Sequence, residues 1–215
     1  MVWRFGVLVG YVMTMVICLG ITVGAQEKEE KRTVLFLGYR LTAGYGLDEE
    51  RAFPTVVQAK IDSLGMPFEV VNAGLSGETS SGGLRRVGWL LRREVDVLVL
   101  ALGANDALRG VPLEVTRKSL QGIVDQTRAK YKDVKIVIAG MEAPPNLGDA
   151  YTDGFRAIFQ DLAKENDAAL IPFLLAGVAG NAELNLPDRI HPTQEGHRIV
   201  AENVWQVLEP VLKSF

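Results

Sequence analysis

Four short segments of this 215-residue chain set chemically capable side chains beside glycine or at a turn. In Asp188-Arg189-Ile190-His191, a carboxylate stands three residues ahead of a histidine. There it can accept the imidazole Nδ1–H and fix the tautomer that leaves Nε2 free as a base. The other histidine, His197, falls inside the stretch read as the last helix and is expected to be solvated or packed against the helix, which leaves His191 as the candidate base. The turn Asn72-Ala73-Gly74-Leu75-Ser76-Gly77 offers backbone N–H groups, and Gly103-Ala104-Asn105-Asp106 offers a side-chain amide, as donors to a developing oxyanion. The fourth segment, Gly38-Tyr39-Arg40-Leu41-Thr42-Ala43-Gly44, carries a guanidinium that is permanently charged and cannot attack a carbonyl. Turned inward, Arg40 would disfavour an imidazolium at His191 and could pair with Asp188.

These segments must be held together by the elements that precede them. From Thr33 onward, short apolar runs alternate with amphipathic stretches, the pattern of βαβ units around a parallel sheet. Strands are expected at 33–38, 68–73, 95–102, 134–140 and 169–172. Phe53, Val56, Val57, Ile61 and Leu64 share one helical face, and a last helix is expected to begin near Pro192. Right-handed crossovers then give a three-layer α/β/α sandwich on a five-stranded, doubly wound sheet of flavodoxin-like order 2-1-3-4-5. In such a sheet the crevice lies at the carboxyl ends of strands one and three, and the chemically capable segments fall at that edge.

With 48% hydrophobic residues the chain can bury one substantial core, and a single domain over 33–215 is expected. Met1 to Ala25 carries one charge, Arg4, then the apolar run Phe5 to Leu19 and the small-residue pattern Val23-Gly24-Ala25, which reads as a secretory leader. An uncleaved membrane anchor over Phe5 to Ala25 is the alternative. The only cysteine, Cys18, lies in the leader, so no intrachain disulfide is expected, and Met15-Val16-Ile17 before it lacks the small residues of a lipidation site. Residues 26–32 read as a charged linker. A net charge of −3 carries no footprint for nucleic acid. There is no clustered His/Cys set for a metal and no phosphate loop, so no cofactor is expected.

Taken together, the blocks resemble the SGNH hydrolases, the family known for its Gly-Asp-Ser-Leu motif, and within it the secreted arylesterase, lysophospholipase and thioesterase I branch. The resemblance runs from Thr33 to about Leu212. It includes Thr42-Ala43-Gly44-Tyr45-Gly46-Leu47, Gly77-Glu78-Thr79-Ser80-Ser81-Gly82-Gly83-Leu84, Leu108-Arg109-Gly110 and Ala143-Pro144-Pro145-Asn146. It implies an ester hydrolase fold, with Asp188 and His191 as the catalytic pair and Gly74 and Asn105 as the oxyanion hole. The implied substrate is a small-molecule acyl ester, thioester or lysophospholipid, and no metal is needed. The chain departs from the motif in one block: Tyr39-Arg40 stands where the family has Asp-Ser, so the nucleophile's place is taken by Arg40. Thr42 lies two positions on, and Ser76, Ser80 and Ser81 read as turn and helix-cap residues rather than replacements. The resemblance therefore implies descent from an esterase whose covalent catalysis should fail, or a non-catalytic acyl- or ester-binding protein. Acyl preference is expected to depend on the loops Leu108 to Leu113 and Pro144 to Tyr151.

Overall fold

Burial across the sheet follows the apolar content of its strands. A computed structural model describes residues 31–215, in which β1 (Arg32–Gly38), β2 (Phe68–Gly74), β3 (Val97–Ala101), β4 (Lys135–Ala139) and β5 (Ala169–Ile171) form one sheet of order β2-β1-β3-β4-β5. All pairings are parallel. β3, read as Val-Leu-Val-Leu-Ala, is buried at every position, as a central strand covered on both faces must be; the edge strands β2 and β5 are only partly buried. The expected leader Met1 to Ala25 and most of the expected linker lie outside the described residues.

Around the sheet lie α1 (Phe53–Ser63), α2 (Ser80–Leu90), the short α3 (Ala104–Leu108), α4 (Leu113–Lys130), α5 (Asp149–Glu165) and α6 (Gln194–Leu212). α1 packs with α6, and α2 with α4 and α4 with α5, as right-handed crossovers on the two faces of a doubly wound sheet require. Each helix buries one stripe: Phe53, Val57 and Ile61 on α1, Phe155, Ile158, Phe159 and Leu162 on α5, Val200, Val204, Leu208 and Leu212 on α6.

The structure shifts several expected boundaries, each for a local reason. β1 begins at Arg32, inside the expected linker, because the Arg32 N–H donates to the Pro67 carbonyl at 2.8 Å. β3 starts only at Val97, since Asp96 turns its carboxylate onto the Thr33 N–H at 2.7 Å. Leu64 follows the last turn of α1 and is exposed rather than part of its buried face. The last helix starts at Gln194, not Pro192: Thr193 is its cap, accepting the Gly196 N–H at 3.3 Å, while Pro192 bridges to Asn185.

Two buried polar contacts tie the helices to the sheet's carboxyl edge. Ala52, which precedes α1, supplies no capping side chain, and the orphan N–H of Phe53 is instead accepted by Nδ1 of His197 at 3.1 Å. His197 is thus fully buried rather than solvated. At the start of α2, the buried Glu78 carboxylate receives Nε of Arg86 at 2.8 Å and also Nη2, which reaches the Ala73 carbonyl at 2.7 Å as well.

Burial, and secondarily the charge of His191, lowers the His197 pKa from 6.5 to about 4. A neutral, buried histidine with a depressed pKa contributes stability above its unfolded value, and that contribution is lost as pH falls toward its folded value. Denaturant unfolding should therefore show about 3 kcal/mol of stability lost from this group between roughly pH 6.5 and pH 4. A His197→Gln variant, whose side-chain carbonyl can still accept the Phe53 N–H, should lose less stability than the unmodified protein over that interval. Removing one partner of the Glu78–Arg86 pair strands a buried charge. Arg86→Met should cost about 3–5 kcal/mol by the same measurement, and Glu78→Met in addition should restore most of it.

Candidate functional site

Register places the candidate residues side by side. Gly38 pairs with Gly74 across β1 and β2 and with Ala101 across β1 and β3, so the segments after those strands emerge together at the carboxyl edge. The Leu75 N–H donates to the Gly38 carbonyl at 3.0 Å and locks two of them. After β1 the chain coils tightly, with the Ala43 N–H on the Tyr39 carbonyl at 3.0 Å and the Tyr45 N–H on the Arg40 carbonyl at 3.1 Å. This coil presses on its neighbours: a Cβ on Gly74 would lie 2.3 Å from the Ala43 nitrogen. After β3, Gly103 takes φ 122° beneath the Phe159 ring and turns the chain into α3, which carries Asn105.

The loop bearing Asp188 and His191 is self-supporting. It is closed by the Leu186 N–H on the His191 carbonyl at 2.7 Å and anchored by Asn185, whose amide donates to the Val178 and Asn181 carbonyls at 2.7 Å each. Arg189 in the left-handed region, φ 59°, folds the backbone around the carboxylate. Asp188 Oδ1 accepts the N–H groups of Ile190 at 2.9 Å and His191 at 3.0 Å, and Oδ2 meets His191 Nδ1 at 2.6 Å. The His191 backbone N–H first, then its ring and the Ile190 N–H, hold Asp188 well below the usual carboxylate range. Facing an ionised Asp188, Nδ1 carries the proton, so Nε2 is the free acceptor.

His191, Asn105, Tyr39 and Arg40 all line one cavity of about 560 Å³. Its walls are largely apolar, including Leu41, Leu108, Met141, Phe173, Leu175 and Ile190. Leu108 and Ile190 are more than half exposed at 58% each, leaving apolar surface open to a ligand. Asn105 is oriented through one amide N–H to the Glu78 carbonyl at 2.9 Å. The adjacent Asp106, fully buried, accepts Ser80 N–H at 2.8 Å and Ser80 Oγ at 2.6 Å and so pins α3 to α2. Asp188 stands behind His191, outside the cavity lining. Gly74 is not in the lining either, and its N–H donates to the Asn72 side-chain carbonyl at 2.9 Å.

Arg40 makes no ion pair with Asp188. Its guanidinium lies 4.4 Å from the Tyr45 ring centroid, and that ring also packs on His191 at 4.8 Å between centroids. Asp188 pairs with His191 instead. Desolvation pushes the Tyr39 phenol well above its ordinary value, so it stays protonated at neutral pH. Of the other hydroxyls, Thr42 is fully buried without a partner, Ser80 is held by Asp106, and Ser81 bonds Ser119 at 3.0 Å. The cap of α2 is Thr79, which accepts the Gly82 N–H. Tyr45 and Asn185 gave no sign of their roles in sequence, since neither has a charge or spacing that marks it. The walls from Met141, Phe173 and Leu175 come from strand-end loops outside the two loops expected to shape the cavity; from those two, Leu108, Pro144 and Pro145 contribute. Among the described residues no group of three or more His, Cys, Asp or Glu side chains is placed to hold a metal ion.

The fold and the family are those of known ester hydrolases. The model of the GDSL-like lipase/acylhydrolase family matches residues 36–199. The esterase TesA of Pseudomonas aeruginosa is 34% identical over 196 residues, covering 91% of this chain and 96% of that protein. The thioesterase 1/protease 1/lysophospholipase L1 of Escherichia coli is 34% identical over 181 residues, covering 84% of this chain and 85% of that protein. The crystal structure of the psychrotrophic esterase EstA from Pseudoalteromonas sp. superposes with TM-score 0.80 at 30% identity, over 85% of this chain and all of that one (100%). With its five-stranded parallel sheet, its ester-hydrolase relatives and a family match that spans most of its length, the chain belongs to the GDSL-like lipase/acylhydrolase family and is an SGNH hydrolase of esterase type by descent.

Proposed function

We propose that this chain binds small-molecule acyl compounds in the cavity beside His191 and does not turn them over through an acyl-enzyme. The observation that carries the reading is the pairing of an intact Asp188–His191 contact, 2.6 Å, with Tyr39-Arg40 at the turn where the family's nucleophile belongs. In this reading His191 is the base, Asp188 orients it, and Gly74 and Asn105 are the oxyanion donors. The apolar walls favour the acyl chain of an ester, thioester or lysophospholipid, the substrate classes suggested by the names of the relatives. What is missing is the electron pair that attacks the carbonyl: a guanidinium has none to give, the lining holds no serine or threonine hydroxyl, and desolvation keeps the Tyr39 phenol protonated. For Gly74 to serve as a donor, its N–H must exchange the Asn72 side chain for the ligand oxygen.

Losing a triad nucleophile costs on the order of 10⁶ in turnover. The unmodified protein should show no burst with a p-nitrophenyl ester and no acyl adduct by intact mass. Tyr39→Asp with Arg40→Ser should raise hydrolysis by roughly 10³-fold or more, and Arg40→Ser alone by less, because Tyr39 crowds the turn. Adding His191→Ala to the double variant should abolish the gain. Burst kinetics in the unmodified protein, or a double variant indifferent to His191→Ala, would overturn the assignment.

Export belongs to the same proposal. Among the described residues no helix is long and apolar enough to cross a membrane, and Met1 to Ala25 has the layout of a cleaved leader. N-terminal sequencing of protein recovered from the exported fraction should begin at Gln26; a chain that retains Met1 in the membrane fraction would point to an anchor instead.

A further inference from the structure

The charge balance of the cavity is not that of a site for neutral esters. Each carboxylate at its wall already has a partner: Glu142 faces Arg156 at 3.5 Å, and Asp188, just behind the lining, holds His191. The two arginines of the lining, Arg40 and Arg189, have no ion pair and no side-chain hydrogen bond among the described residues. Arg40 is half-buried with its guanidinium carbon 4.4 Å from the Tyr45 ring centroid, a cation–π contact that needs none of its N–H donors. One planar fork, held by an aromatic ring beside an apolar cavity of about 560 Å³, matches the two oxygens of a carboxylate carrying an alkyl tail.

We propose that the cavity is a binding site for the anion of a fatty acid, with Arg40 gripping the carboxylate and the walls at Leu41, Leu108, Met141 and Phe173 taking the chain. The inference rests on the acyl-binding reading above and narrows it to one chemical class. The same substitution that removes the nucleophile makes the cavity prefer the free acid to its esters, because an ester carries no charge to meet the guanidinium. A hydrogen bond to a charged partner that is partly shielded from water corresponds to about a 10- to 100-fold gain in affinity over the uncharged analogue.

Calorimetric titration of the purified protein at neutral pH with octanoate and with 1-octanol separates the two layers of the argument. Octanoate should bind at least about tenfold more tightly than 1-octanol. Arg40→Gln should remove that difference, and Arg40→Lys, which keeps the charge without the fork, should give an intermediate preference for octanoate. In the unmodified protein, raising salt from about 50 to 500 mM should weaken octanoate but not 1-octanol; this arm decides the matter if Arg40→Gln loses both ligands. Equal affinities for the two ligands, or an octanoate affinity indifferent to both Arg40→Gln and salt, would overturn the carboxylate site while leaving the acyl-binding reading standing. Failure of both ligands to bind the unmodified protein would overturn that reading, and this inference with it.

Discussion

The close approach of the Thr42–Ala43 backbone to the ends of β1 and β2 is the constraint on which the rest of the site depends. A Cβ on Gly38 would meet Thr42 Oγ1 at 1.9 Å, and one on Gly74 would meet backbone atoms of Thr42 and Ala43 at 2.7 and 2.3 Å. Only glycines admit the coil, and once admitted it is fastened by the Asn72 amide on the Thr42 carbonyl at 2.8 Å. Packing this tight leaves Thr42 Oγ1 buried without a partner, a cost of about 1–3 kcal/mol that the surrounding contacts must offset. Residues 39 and 40 stand at the outer start of the coil, where their side chains leave it toward the cavity. The backbone that displays a side chain at position 40 is therefore fixed by residues 38, 42, 43, 72 and 74, and accepts an arginine there.

The Asp188–His191 pair sits on a loop of its own and meets that coil at the Tyr45 ring. Its carboxylate is held by the N–H groups of Ile190 and His191, and its loop is closed by its own backbone bonds and by Asn185. Tyr45 touches both halves, through the Arg40 guanidinium and the His191 ring. A substitution at position 40 changes the charge of the cavity and alters the contact on Tyr45, the ring that also packs on His191.

What could be read from the sequence follows the range of the forces involved. The strands, their order and the Asp188–His191 contact were legible because they arise from local apolar runs, from crossover handedness and from a three-residue spacing. The strand order followed from crossover handedness together with the doubly wound pattern of helices on both faces. Properties that depend on contacts distant in sequence were hidden. His197 read as a solvated or helix-packing histidine, but its ring is spent on the Phe53 N–H. Arg40 suggested a partner in Asp188, yet an aromatic ring five residues away in its own coil took it. Gly74 had the right place in the register, and nothing in the sequence announced that Asn72 would already occupy its N–H.

The bond between His197 and the Phe53 N–H joins residues 144 apart, and it supplies the cap that α1 lacks locally. During synthesis the chain emerges from its N-terminal end, so α1 and β2 are available long before α6. Until α6 arrives, the first turn of α1 has an unpaired donor and its face toward α6 is bare. Assembly of the layer that holds α1 and α6 is thereby deferred to the end of translation.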